Sequence, residues 1–314
     1  RGFTTVRDTG GAVWGVRDAV AQGLIAGPRM FIAGQAIGPT GGHSDARRRT
    51  DYGISCRCCN AMRFCLGIAD GADAVRAAAR EQLRQGADQI KIMVSGGVAS
   101  PYDPLDSRQF SAAEIAAAVE EAAAFGKYAQ AHAYTPEAIQ RAVGQGVRTV
   151  EHGNLIDDQS ARLMKRKGAY LVANLVTYHA MKERAAQFGL GADLLAKNDL
   201  VIDGALRSLE ICKRAGVKVG FGSDLLGQLQ VEQSREFLLR REVLSPIEII
   251  RQATLVGAEI VRMKDRLGVV RPGALADLLV VDGNPLRKLE LLTGEGRHLP
   301  VIMKAGRLHK NRLR

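Results

Sequence analysis

Aromatic residues are scarce in this chain. Phenylalanine, tyrosine and tryptophan make up 5% of 314 residues, with a single tryptophan. Single-stranded nucleic acid is held on stacked rings, so no nucleic-acid partner is expected. Long apolar runs are missing too. None reaches the ~18 apolar residues that suggest a membrane span, and no membrane partner is expected. Cysteine is sparse and badly spaced for zinc. Cys56, Cys58, Cys59 and Cys65 form C-x-C-C-x5-C in one expected loop, and Cys212 stands alone on an expected helix. Structural zinc sites want two well-spaced pairs, so these read as thiols without a metal. The chain opens at Arg1, not Met, and a strand-like stretch follows at once, so targeting evidence is missing with the N-terminus and the compartment stays open, with the cytoplasm favoured.

Charge is present in excess of one sign. There are 44 Lys and Arg against 33 Asp and Glu, a net +11. The surplus is dispersed, with short runs at 47–49, 165–167 and the C-terminal tail. It tolerates acidic partners without forming a continuous basic stripe. The length accommodates a barrel of about 250 residues and a small accessory domain.

Short apolar runs alternate with amphipathic stretches. The runs fall at 3–7, 29–33, 89–94, 128–132, 148–152, 170–174 and 218–222. The stretches predict helices over 73–85, 112–125, 136–145, 158–167 and 194–215. Ser111 ahead of Glu114 forms a capping box. Thr135 before Pro136 puts proline in a first helical turn. Gly126, Gly146, Gly168 and Gly216 follow the helices where left-handed caps occur. Strands alternating with helices predict a parallel sheet, either closed as a (β/α)8 TIM barrel or open. After residue 265 the helical pattern stops, and short strands with turn signals predict a small β-domain over 266–314 behind a barrel over 1–265.

The polar residues on the strands decide between closed and open. Lys91, His132, His152 and Asp224 lie on or close behind four of the runs. In a barrel, C-terminal strand ends share one mouth, where active sites sit. His132 and His152 are one strand–helix–strand unit apart, which puts them on adjacent strands. Two histidines with an aspartate suit zinc or a harder divalent cation. Alternation sends Ile90, Ile92 and Val94 to the helices and Lys91 to the interior. Burial disfavours an ammonium. Lys91 is therefore either a carbamate formed with carbon dioxide, an anionic two-oxygen ligand, or the partner of Asp224.

The motifs taken together resemble the amidohydrolase superfamily, in its prolidase-like branch of Xaa-Pro or Xaa-Arg dipeptidases. They are Thr-Val-Arg-Asp-Thr-Gly (5–10), Gly-Gly-His-Ser-Asp (41–45), Gln-Ile-Lys-Ile-Met-Val-Ser-Gly-Gly-Val (89–98), Ala-His-Ala-Tyr (131–134), Glu-His-Gly-Asn (151–154), Gly-Ser-Asp (222–224) and the 272–285 segment. The resemblance implies a site for two divalent ions, usually zinc, with Lys91 as a bridging carbamate. It implies that His132 and His152 bind one metal and Asp224 the other. It also implies a first barrel strand with His-x-His upstream of Arg1, and part of a β-sandwich there. No His-x-His occurs within the 314 residues.

The implied chemistry is cleavage of an amide bond in a dipeptide or N-acyl amino acid by metal-activated hydroxide, with Asp224 moving the proton. His43, on the loop after the third barrel strand, is expected to bond a substrate carbonyl or carboxylate. Tyr178, on the loop after the seventh, is expected to hold the terminal carboxylate. Hydrolysis of cyclic amides or lactones on the same site is the rival enzyme reading. A non-catalytic scaffold that binds one metal or none is the rival from outside enzymology, and metal content separates the two. Gly-rich segments 41–42 and 95–97 lack the frame of a nucleotide-binding loop. A homo-oligomer with a small-molecule or dipeptide substrate is the expected assembly.

Overall fold

The computed structural model describes residues 1–50, 65–100 and 102–313. Nine short strands build the larger part: β1 Thr5–Arg7, β2 Arg29–Phe31, β3 Ala36–Gly38, β4 Cys65–Ile68, β5 Ile90–Met93, β6 Ala129–Ala133, β7 Thr149–His152, β8 Tyr170–Ala173 and β9 Val219–Phe221. Seven form one parallel sheet in the order β4-β3-β5-β6-β7-β8-β9, and β1 pairs in parallel with β2. Residues 29–38 act as one strand broken at its middle. Its first half takes β1 as neighbour, and its second half takes β4 and β5. This is a barrel-like α/β fold. Phe3 stacks on Phe221 and Phe237 at centroid separations of 5.8 and 6.1 Å, which brings the β1 edge to the β9 edge.

The strands curve this way because their two faces differ chemically. Ala129, Ala131 and Ala133 of β6, and Ile90 and Ile92 of β5, belong to the main apolar cluster beneath the helices. Small alanines let helices approach closely. The opposite faces carry Gln130 and His132, and Lys91 and Met93, all buried. Burial of a polar residue on that face is costly unless it finds a partner inside the barrel. Arg7 of β1 reaches across to β7, where its guanidinium donates to Glu151 at 2.6 Å and Thr149 at 2.9 Å.

The helices follow their local signals. Ser111 and Glu114 cap Ala112–Ala124 reciprocally. Thr135 accepts from Ala138 ahead of Pro136–Gly144, and Gly168 and Gly216 end Asp158–Lys167 and Ala192–Ala215 at φ 66° and 69°. Two features depart from the sequence expectation. Residues 65–68 form a strand that extends the sheet edge, so Cys65 heads a strand and not a loop. Cys56, Cys58 and Cys59 lie outside the described residues. Tyr178 lies in a helix, Val176–Glu183, and not on a loop. Cys212 is buried on Ala192–Ala215, as placed.

A three-stranded antiparallel sheet follows: β10 Leu278–Val280, β11 Val301–Lys304 and β12 Arg307–Asn311. Asp277 ties it to β2 through Arg29 at 2.9 Å and to the β11–β12 turn through the Ala305 amide at 2.9 Å. A cavity of about 280 Å³ lies at the N-terminal strand ends and is lined by Lys127, Arg148, Lys167 and Arg262 among others. Arg262 donates to the carbonyls of Gly126 and Lys127, just past a helix C-terminus, and Arg148 donates to that of Glu259. Cations placed near helix C-termini offset the dipole there. No helix of the described residues is long and apolar enough to cross a membrane.

Ile92 is fully buried on the helix-facing side of β5. Ile92→Ala should cost roughly 2–5 kcal/mol of unfolding free energy in urea titrations. A cost below about 1 kcal/mol would mean that this face is not tightly packed.

Candidate active site

The six side chains singled out from the sequence come together at the C-terminal ends of the strands. Along β6, alternation turns Gln130 and His132 inward, and the next inward position is Tyr134. The His132 ring packs on His43 at 4.3 Å, on His152 at 4.4 Å and edge-on to Tyr134 at 4.8 Å, centroid to centroid. The Lys91 charge acts on His43, His132, His152 and Asp224 alike, which places the buried lysine among them.

His152 reaches this cluster by breaking the rule of its strand. Thr149 and Glu151 point into the barrel, and Val150 faces the helices. Alternation would send His152 outward with Val150. Instead His152 takes φ 75°, and Gly153 follows at 59°. A residue with a β-carbon seldom adopts this left-handed region. The turn swings the imidazole into the mouth, where Nδ1 lies 3.0 Å from Asn174 Oδ1 and 2.9 Å from the Tyr178 hydroxyl. Asp224, three residues past β9, is also left-handed at φ 49°. Its Oδ2 is 3.9 Å from His152 Nδ1, and its backbone carbonyl accepts from Thr177 at 3.0 Å. Outliers of this kind cluster at functional sites.

His43 is held from the other side. Its backbone amide donates to Gln109, and its Nδ1 lies 2.6 Å from Ser100 Oγ and 3.8 Å from Asp103. Asp103 in turn accepts from the Gly97 amide and the Gln109 side chain. Gly97 passes so close that a β-carbon there would stand 1.9 Å from the His43 ring. Lys197 of the long helix fastens the same loop through the carbonyls of Ser100 and Asp103.

Burial sets the charge states. It drives His132 and His152 well below the usual imidazole value, with neighbouring positive charge adding to the effect. Burial likewise lowers His43 to about 4, against the opposing pull of Asp103. Burial pushes Asp224 up to about 6, partly offset by Lys91. The Asp224 side chain keeps 33% of its surface open at the mouth, so the protein crowded round the carboxyl lifts it without enclosing it. Burial also raises Tyr134 and Tyr178, whose hydroxyls meet at 2.9 Å. Near neutral pH the cluster holds neutral imidazoles, neutral phenols and a readily protonated carboxylate.

Among the described residues no three His, Cys, Asp or Glu side chains form a ready ligand group for one metal ion. The chemistry of the donors nonetheless fits a divalent cation once Lys91 is counted. His132 Nε2 donates to the Gly96 carbonyl at 2.9 Å, and His152 Nδ1 is engaged by Asn174. Such bonds orient metal-binding imidazoles and leave the other ring nitrogen for the ion. Tyr134, Asn174, Asp103 and Ser100 escaped the sequence reading. Tyr134 shares the inward face of His132 and was within reach of it. The others are joined to the site by contacts between distant segments.

The model of the amidohydrolase family matches residues 1–308. The chain belongs to the amidohydrolase family. Among the family's solved members, a prolidase in complex with N-methylphosphonate-L-proline shares 50% identity, with a TM-score of 0.96 over 99% of this chain and 76% of that one. A Xaa-Pro dipeptidase with methionine in its active site shares 32%, with a TM-score of 0.85 over 99% and 76%. The ochratoxinase of Aspergillus niger is 31% identical over 98% of this chain. The amidohydrolase chain spans 66% of the length of that curated relative.

A neutral buried histidine makes stability depend on pH. His43 is lowered from 6.5 to about 4, so the unfolded chain takes up a proton there that the folded chain refuses. Its contribution, up to roughly 3 kcal/mol, is lost as pH falls from the unfolded value towards the folded one. Urea titrations at pH 7 and 4.5 should show a smaller pH difference for His43→Gln than for the parent. An unchanged difference would show that His43 titrates normally.

Proposed function

We propose that the protein hydrolyses the amide bond of dipeptides or N-acyl amino acids, using two divalent cations, zinc by expectation. The observation that carries this reading is the convergence of Lys91, His132, His152 and Asp224 at one barrel mouth, flanked by His43 and Tyr178. The names of the relatives support it: a prolidase, a Xaa-Pro dipeptidase and an ochratoxinase. His132 and His152 would hold one cation and Asp224 the other, with Lys91 as a carbamate between them. Cations so held acidify water and polarise a carbonyl.

The residues of the chain supply the rest. Asp224 stands at the open side of the mouth, 3.9 Å from His152, where a carboxylate can take a proton and return it to the leaving amine. Its left-handed backbone aims it at the His152 side of the mouth. His43 Nδ1 is engaged by Ser100 at 2.6 Å, which leaves Nε2 as the ring nitrogen that would meet a substrate carbonyl, as a donor in the Nε2–H tautomer. Tyr178 and Tyr134 stay protonated, so their hydroxyls are donors for a terminal carboxylate. The buried cluster excludes bulk water around the scissile bond, which strengthens each of these interactions.

Protein that also carries an upstream His-x-His strand should contain about two zinc per chain by elemental analysis, the 314 residues alone fewer, and the extended form should cleave members of a panel of Xaa-Pro dipeptides and N-acyl amino acids. Absence of both bound metal and hydrolysis would overturn the reading. Asp224→Asn should lower kcat/KM by roughly 10²–10⁴-fold, the usual worth of a general acid–base group. A loss under about threefold would remove Asp224 from the proton path.

A further inference from the structure

Two opposite charges lie behind the mouth with no exposed surface. Glu236 and Arg240, one helical turn apart after β9, meet at 2.7 Å, and both side chains are 0% exposed. All but one of the pair's further bonds lead towards the site. Glu236 Oε2 accepts from the backbone amides of Leu175 and Val176 at 2.8 Å each. Arg240 donates to the carbonyl of Ala173 at the end of β8, to that of Gly220 in β9 at 3.1 Å and to Gln252. Its guanidinium lies 4.7 Å from the centre of the Phe221 ring. The pair therefore joins the end of β8, the turn after it, the first turn of Val176–Glu183 and β9.

Those four pieces carry or support half of the mouth. The turn holds Asn174, which bonds His152. The helix holds Thr177, which bonds the Asp224 carbonyl, and Tyr178, which bonds His152. Asp224 itself follows β9. Stability alone does not account for a buried pair of charges, since apolar residues of similar volume usually serve as well or better. The six bonds are directed where packing is not.

We infer that Glu236 and Arg240 are positioning residues that lock the β8 turn to β9 and so fix Tyr178 and Asp224 relative to one another. The reaction they serve is the one proposed above; the positioning itself is measurable without it. The test compares Glu236→Leu/Arg240→Met, Glu236→Gln and Arg240→Lys with the parent, by thermal melting, hydrogen exchange and kinetics. The double variant removes both charges and should melt within about 5 °C of the parent. Amide exchange over 172–180 and 220–226 should nonetheless rise at least about tenfold, with 90–93 and 129–133 unchanged. On a dipeptide from the panel, kcat should fall at least about tenfold with KM within about threefold. Glu236→Gln keeps one oxygen for the two amides but turns an amide donor towards Arg240 Nε–H and leaves that buried charge unpaired, so it should lose protection in the same two segments. Arg240→Lys keeps the charge but cannot span Ala173 and Gly220 together, and should lose protection in the same two segments. If the double variant does not fold, the lysine variant decides. Unchanged exchange in those segments overturns the inference, in a folded double variant or in the lysine variant. A parent without dipeptidase activity overturns the proposed function alone, because the exchange pattern still reports the lock.

Discussion

The mouth of the barrel depends on one backbone constraint, the left-handed turn at His152. A strand offers every second side chain to its interior, and β7 has already used those places for Thr149 and Glu151. Holding φ at 75° brings a third polar group to the same side without a further strand. Such a conformation costs of order 1–3 kcal/mol and persists only when its surroundings over-determine it. Here they do. Arg7 pins the preceding Glu151 from across the barrel, Asn174 and Tyr178 seize the imidazole, and Gly153 fits under Leu171 where a β-carbon would sit 2.3 Å from it.

Packing and electrostatics reinforce each other around that turn. Alanine and isoleucine on the outer strand faces seat the helices and keep the strands rigid, so the inner polar groups cannot relax towards water. Without relaxation, desolvation keeps the histidines neutral and makes the aspartate easier to protonate. These are opposite corrections, since one removes a positive charge and the other disfavours a negative one. The result is a set of lone pairs and one movable proton in a small space, bounded on one side by the Lys197-fastened loop and on the other by the β8 turn.

Much of this was legible in the sequence wherever a local rule governs. The face of Lys91 follows from strict alternation over 89–94, and the place of His132 from its position at the end of the 128–132 run. Ser111, Thr135 and the helix-ending glycines follow from capping chemistry. Position at four strand ends supplied the grouping of Lys91, His132, His152 and Asp224, the family resemblance supplied their roles as metal ligands, and the structure brings the four together. Local rules failed where distant contacts decide. Nothing in 65–68 announces a strand, because its stability comes from the edge of β3. Val176–Glu183 is too short to show a clear amphipathic period, and Glu236 holds its first turn from about sixty residues away. Glu236 and Arg240 went unremarked in the sequence, where oppositely charged residues four apart carry no sign of burial. Only the structure shows that this pair is buried.

Gly97 has a consequence for how this site can change. The space that any larger residue would need there is already filled by the ring of His43, 1.9 Å from where a β-carbon would stand. The two positions therefore cannot drift independently. A side chain can be acquired at 97 only after the imidazole has gone or its loop has shifted, so the order of substitutions is imposed by geometry. Histories that begin at 43 remain open, and histories that begin at 97 stop at their first step.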